Sequence, residues 1–151
     1  MAVKKIDTAE EFNVEIVRVL PWLVSAHAYT NNDISFPDIL KGLVERDHQL
    51  WVTDNAACVT SITTWNEKRV CCLFLIGGER GKAMPEIAAG VGELEAYARK
   101  HNCAGLLGIG RALWKKRLPA LGFQIVEQDG DFSNVYFKEL IDGEYTEGNN
   151  N

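Results

Sequence analysis

Residues 70–78 read VCCLFLIGG, apolar at odd and even positions alike and closed by paired glycines. A strand with one wet face alternates between apolar and polar, so a run without alternation belongs to a strand covered on both faces. The chain must therefore place a layer on each side of this strand. Behind the glycines comes a helical pattern from Pro85 to His101, with Pro85 in the first turn and Ile87, Val91, Leu94 and Ala98 forming the apolar stripe. Gly90 and Gly92 weaken that helix and predict close approach to the sheet. Residues 104–109 then form a second apolar strand. Strand, helix and strand over 69–109 predict a right-handed parallel crossover.

The flanking elements follow from simpler signals. Residues 2–6 predict a short first strand, and Asp7 or Thr8 offers a capping oxygen to a helix with Glu10 and Glu11 in its first turn. Phe12, Ile16, Val19, Leu20 and Leu23 give that helix one apolar stripe, which Pro21 is expected to kink or end. Thr30 to Asp33 reads as a loop. Ser35, Phe36 and Pro37 open a second helix with Ile39, Leu40 and Leu43 inward. Runs at 49–54, 57–65 and 69–76 alternate with the turn pairs Asp54-Asn55 and Asn66-Glu67, so they predict antiparallel neighbours. A short helix over 112–121, bent or ended by Pro119, leads to two strands at 123–127 and 132–139 around the hairpin signal Asp129-Gly130. The fold class is α+β, in a single domain over 2–139. Residues 140–151 carry little apolar content and are expected to fray.

Composition narrows the function classes. The 151 residues are 46% hydrophobic and 25% charged, enough for one packed core. Sixteen Lys and Arg against 21 Asp and Glu leave a net charge of -5, which argues against sequence-independent nucleic-acid binding. No apolar run has the length of a membrane span, and the N-terminal residues lack a signal-peptide core, so a cytoplasmic protein is expected. The four cysteines, Cys58, Cys71, Cys72 and Cys103, have no metal-ligand spacing and are expected to be buried free thiols. Cys71 and Cys72 are neighbours on one strand and point to opposite faces. No histidine pair suggests a metal site, and none is expected.

Chemistry concentrates in Gly78-Glu79-Arg80-Gly81-Lys82-Ala83, between a buried strand and a helix N-terminus. Unpaired amides and the helix dipole favour an anion there, glycines permit close backbone approach, and Arg80 and Lys82 add positive charge. A phosphate or pyrophosphate suits such a loop. It has neither the Walker A nor the Rossmann glycine spacing.

This loop and the order of elements resemble the GNAT superfamily of N-acetyltransferases over about residues 2 to 139. In that family the loop runs Gln or Arg, two residues, Gly, one residue, Gly or Ala, and its amides bind the pyrophosphate of acetyl-CoA. Gly81 and Ala83 keep the later marks, and Gly78 stands where Gln or Arg is usual. Leu121-Gly122-Phe123 matches a second family mark. Counting back from it, Leu118 occupies the place of the usual tyrosine acid and Arg111 that of a common asparagine. Together with Trp114, this pattern resembles divergent bacteriophage-encoded members, some of them structural.

The resemblance implies a mostly antiparallel twisted sheet with one parallel crossover and helices on both faces. It also implies acetyl transfer from acetyl-CoA to an amine. The backbone of Phe74, Leu75 and Ile76 would hold the pantetheine arm and thioester carbonyl, and Arg111 a CoA phosphate or substrate carboxylate. Glu67, at the start of the same strand, is the base that the resemblance suggests. A leucine cannot protonate a leaving thiolate, so the usual acid is either missing or supplied elsewhere. Tyr136 on the last strand is the candidate replacement, and a half-buried sheet tyrosine is the alternative reading. His48 sits just before the second strand, near the substrate side that the resemblance implies, and the ordinary reading of it is a histidine of a surface turn. The competing reading is a GNAT-like structural or partner-binding protein, active in phage assembly or host interaction, as a homo-oligomer or with a phage partner. A third reading, modification of DNA bases, would have to draw its basic groove from Arg80, Lys82 and the run 115–117.

Overall fold

The computed structural model describes residues 3–28, 34–111, 119–128 and 133–140. Its elements run β1 (Lys4–Lys5), α1 (Ala9–Ala28), α2 (Phe36–Val44), β2 (Gln49–Val52), β3 (Ala56–Trp65), β4 (Lys68–Gly78), α3 (Ala83–Lys100) and β5 (Gly105–Arg111), then a short 3-10 turn (Pro119–Leu121), β6 (Gln124–Gln128) and β7 (Ser133–Glu139). One seven-stranded sheet orders them β1-β2-β3-β4-β5-β7-β6. Every pairing is antiparallel except β4 with β5.

The expected two-faced burial of β4 holds. Val70, Cys72 and Phe74 join Val19, Leu23, Ile39 and Leu43 in a core beneath α1 and α2. Cys71 and Leu73 join Val91, Leu94 and Ala98 beneath α3 on the other face. Val19, Leu23 and Ile39 are fully enclosed, and each such side chain contributes on the order of 1.5–3 kcal/mol.

α1 opens on a capping box, in which Thr8 Oγ1 accepts from the Glu11 amide at 3.1 Å and Glu11 Oε1 accepts from the Asp7 and Thr8 amides at 3.1 and 3.3 Å. The Asp7 amide, with Lys4 beside it, holds the Glu11 carboxyl below the usual carboxylate range. Contrary to expectation, the helix runs through Pro21 to Ala28. Pro21 lies on the exposed side, and burial of Val19, Leu23 and Ala26 around it offsets the lost hydrogen bond. Ser35 caps α2 through the Asp38 amide at 3.3 Å.

Other boundaries shift modestly. α3 begins at Ala83 rather than Pro85, which costs nothing because amides of a first turn have no partner to lose. β4 extends into Gly77 and Gly78. Leu140, expected in the frayed tail, is buried, and its amide bonds Ala104 O at 2.9 Å. The expected loop at 30–33, most of the expected helix at 112–121 and the Asp129-Gly130 turn fall outside the described residues. No helix among the described residues is long and apolar enough to cross a membrane.

Cys71, Cys72 and Cys103 are buried, Cys58 is partly so, and all are free. Burial pushes the Cys71 and Cys72 thiols up to about 12 and raises those of Cys58 and Cys103. None is a thiolate at neutral pH. The described residues contain no cluster of ligands fit for a metal ion.

Candidate active site at a fork in the sheet

β4 and β5 pair in parallel from Val70 with Gly105 to Leu73 with Gly108, and no further among the described residues. Beyond that apex β4 continues to Gly78 along β3, while β5 continues to Arg111 along β7. The cause is local. Thr60 pairs with Leu73 but Val59 pairs with Leu75, so Phe74 is an extra residue in β4. Such a bulge bends its strand and ends regular pairing. Phe74 and Leu75, adjacent in sequence, consequently both turn into the α1–α2 core. Among the described residues, the edge of β4 that faces β5 past the apex carries main-chain groups without a strand partner.

The fork opens toward the glycine loop. From Leu73 to Gly78 the strand spans roughly 17 Å at the ordinary rise per residue, a length that suits an extended pantetheine arm. The loop then turns tightly: the Lys82 and Ala83 amides both bond Glu79 O at 3.0 Å, and the Glu79 amide bonds Asn55 O at 2.8 Å. Gly81 holds φ +83°, and a Cβ there would meet nothing within 4 Å. That conformation favours glycine, and the space beside it is open. No side chain caps α3. Arg80 and Lys82 are exposed and form no ion pair among the described residues.

Gly77 and Gly78 have a different reason. A Cβ on Gly77 would lie 2.6 Å from Trp22 O of α1, and one on Gly78 would lie 2.4 Å from Asn55 O. Packing against α1 and the β2–β3 turn thus accounts for both.

Glu86, in the first turn of α3, was not among the residues suggested by the sequence. It is buried, 6% exposed, and accepts hydrogen bonds from the Thr53 hydroxyl, the Asn55 amide at 2.7 Å and Asn55 Nδ2 at 2.6 Å. Burial raises its carboxyl pKa, yet these bonds outweigh it and hold the group below the usual carboxylate range. Glu86 pins the start of α3, and with it the loop, to the β2–β3 turn. Its burial was hidden because acidic residues in a first helical turn are ordinarily solvated.

The structure brings most of the sequence candidates together. Phe74, Leu75, Ile76 and residues 78–83 line one prong and its tip, and Arg111 ends the other prong. Tyr136 is fully buried on β7, paired with Gly108 at the apex, in the core beneath α3. Glu67 stands apart. It lies in the Asn66-Glu67 turn, exposed with φ +66°, at the end of β4 away from the loop, roughly 20 Å of strand from the apex. Leu118, Trp114 and the basic run 115–117 fall outside the described residues.

His48 lies just before β2 as expected, but it is less exposed than a histidine of a surface turn. It is partly buried, and its ring meets Phe74 edge-on with centroids 5.0 Å apart. Nδ1 is buried and makes no hydrogen bond among the described residues. Gly42 makes room for it: a Cβ there would lie 2.2 Å from His48 Cδ2. The signal available in the sequence was parity, since residues 48, 50 and 52 share the face of β2 that Leu50 and Val52 bury under α1 and α2.

No family model matches the sequence, and no curated protein is significantly similar to it. Solved structures do match. A chain of the NatC complex bound to Gag peptide and CoA superposes with TM-score 0.65 at 10% identity, over 93% of this chain and 100% of that one. A GNAT-family acetyltransferase from Listeria monocytogenes gives 0.60 at 14%, over 91% and 95%. FeeM, an N-acyl amino acid synthase from uncultured soil microbes, gives 0.65 at 10%, over 91% and 90%. The chain therefore has the fold of the GNAT acetyltransferases.

Proposed function

We propose that this protein is an acyl-CoA-dependent N-acyltransferase. The observation that carries the reading is the fork itself, an opening between parallel strands that leads from a bulge at Phe74 to an uncapped helix start with Arg80 and Lys82 beside it. The unpartnered edge of β4 would hold the pantetheine arm. The amides of 78–83, with the two cations, would hold the pyrophosphate, and Arg111 would meet a phosphate or substrate carboxylate. Acetyl-CoA is the simplest donor. An amine arrives on the face of α1 and α2, opposite the face that α3 covers.

The amine nitrogen attacks the thioester carbonyl, whose developing negative charge is met by main-chain N–H groups beyond the bulge. The C–S bond then breaks and the CoA thiolate takes up a proton. Tyr136, level with the apex, is the donor proposed for that proton. The ammonium proton requires an acceptor on the other face, and His48 against Phe74 takes the role that the family resemblance suggested for Glu67. Free thiols fit a reducing compartment and support work in the cytoplasm.

Calorimetric titration with acetyl-CoA and with desulfo-CoA tests this reading. Micromolar binding that is lost in Gly81→Glu and retained in Gly81→Ala supports it, because the alanine carries the same left-handed strain without the charge. Absence of binding to the wild type overturns it. The second reading, a partner-binding protein on the same fold, draws on the exposed Val14, Val17 and Val24 of α1.

A further inference from the structure

Under α3, on the face of the sheet away from α1 and α2, lies a cavity of about 50 Å³. Its wall includes Leu73 and Gly108, the last residues paired at the apex of the fork, and Ile76 on the prong beyond. The α3 side is closed by Ile87, Gly90 and Val91. The polar side chains at its edge, Thr53 and Glu86, are spent on each other and on Asn55. What remains is apolar, and an apolar cavity of this kind stays dry and accepts apolar guests.

The glycines of its wall differ from the crowded glycines elsewhere in the molecule. At Gly42, Gly77, Gly78 and Gly105 a Cβ would collide at 2.2 to 2.6 Å, so packing demands glycine there. At Gly90 and Gly108 the nearest atoms would lie 3.7 and 3.8 Å away, in ordinary contact, and neither has a positive φ. Alanine fits at both. Glycine inside a helix or a strand lowers stability, and at these positions what it secures is empty space beside the apex.

We infer that this cavity is an acyl-chain pocket, and that the preferred donor is a CoA thioester with a short apolar chain longer than acetyl. The inference rests on the acyltransferase reading above and sharpens it. With the thioester carbon at the apex, the chain would turn from Leu73 and Gly108 into the space beneath Gly90. One water needs about 10–15 Å³ of such space, so the pocket takes about three to five groups of that size. The transfer is otherwise unchanged: the amide C–N bond forms, the C–S bond breaks, the thiolate takes up a proton, and the ammonium proton passes to the base.

The test is calorimetric titration of the full chain with desulfo-CoA and with acetyl-, propionyl-, butyryl-, hexanoyl- and octanoyl-CoA. Affinity should rise about fourfold per buried methylene from acetyl to butyryl and then level or fall. Gly90→Leu should keep acetyl-CoA affinity and lose the rise, with Gly90→Ala between the two and melting higher than the wild type. Equal affinity for acetyl- and butyryl-CoA, or an unchanged profile in a folded Gly90→Leu, overturns the pocket and leaves the acyltransferase reading standing. Failure of every thioester and of desulfo-CoA to bind overturns both.

Discussion

Phe74, the extra residue in the bulge of β4, packs edge-on against the ring of His48, with centroids 5.0 Å apart. The contact ties the turn before β2 to the strand whose distortion opens the sheet. It also puts an imidazole on the face that an acceptor amine would approach. His48→Gln, which keeps the side chain's bulk, should lower kcat by about 10²- to 10⁴-fold and alter the shape of the pH–rate profile. Acetyl-CoA affinity should stay within a factor of two or so of the wild type on this reading, because the ring does not touch the loop. A folded variant with unchanged kcat and pH profile would remove His48 from the mechanism.

Glu86 makes stability depend on pH. Its folded pKa lies below the usual carboxylate value of 4.5, so the ionised group stabilises the fold fully above the unfolded pKa. That stabilisation is lost as pH falls from about 4.5 through the lower folded value. At pH 7 Glu86→Gln should cost about 1–3 kcal/mol, since the bonds from Thr53 and Asn55 weaken or lose a charged acceptor. Urea unfolding at pH 7 and pH 3 checks this, and the gap between variant and wild type must narrow in acid. A gap that is constant with pH contradicts the assignment.

Gly77 and Gly90 should respond to alanine with opposite signs. At Gly77 the new Cβ would press on Trp22 O at 2.6 Å, and α1 must move away from the sheet. A loss of about 1–3 kcal/mol is expected. At Gly90 the methyl meets Val3 at ordinary distance, and the gain in helix propensity is worth up to about 1 kcal/mol. Thermal melts of the two variants read the difference directly. A Gly77→Ala variant that melts at or above the wild type would mean that close packing of α1 does not require glycine.

The thiols should be silent in the native state. With Cys71 and Cys72 pushed up to about 12 by burial and the others raised as well, thiolate is scarce at pH 8. A colorimetric thiol reagent should label the native protein slowly and all four cysteines once it is unfolded. Rapid labelling of a native cysteine would indicate opening of the sheet on the timescale of the reaction.

Elements and their faces were legible in the sequence because each depends on a local period. The unbroken apolar run at 70–78 required cover on both faces, and α1 with α2 on one side and α3 on the other supply it. Thr8 with Glu11, and Ser35 with Asp38, mark helix starts through contacts within four residues. The loop at 78–83 was visible for the same reason, since its glycines and cations are neighbours in the chain.

The fork was decided by tertiary structure. It depends on a one-residue slip between β3 and β4 at Phe74, and no local pattern distinguishes an extra residue from a regular one. Proximity across strands set the rest: Tyr136 reaches the apex through pairing with Gly108, and His48 reaches Phe74 across the width of β3. Glu67 lies in the turn that leads into β4 and is distant from the apex on that strand, because an extended chain carries neighbours in sequence far apart. Pro21 stays helical and Glu86 stays buried for a related reason, as packing and hydrogen bonds from remote segments override what each residue prefers alone. Local periodicity thus determined what the layers are, and the register between strands determined where they part.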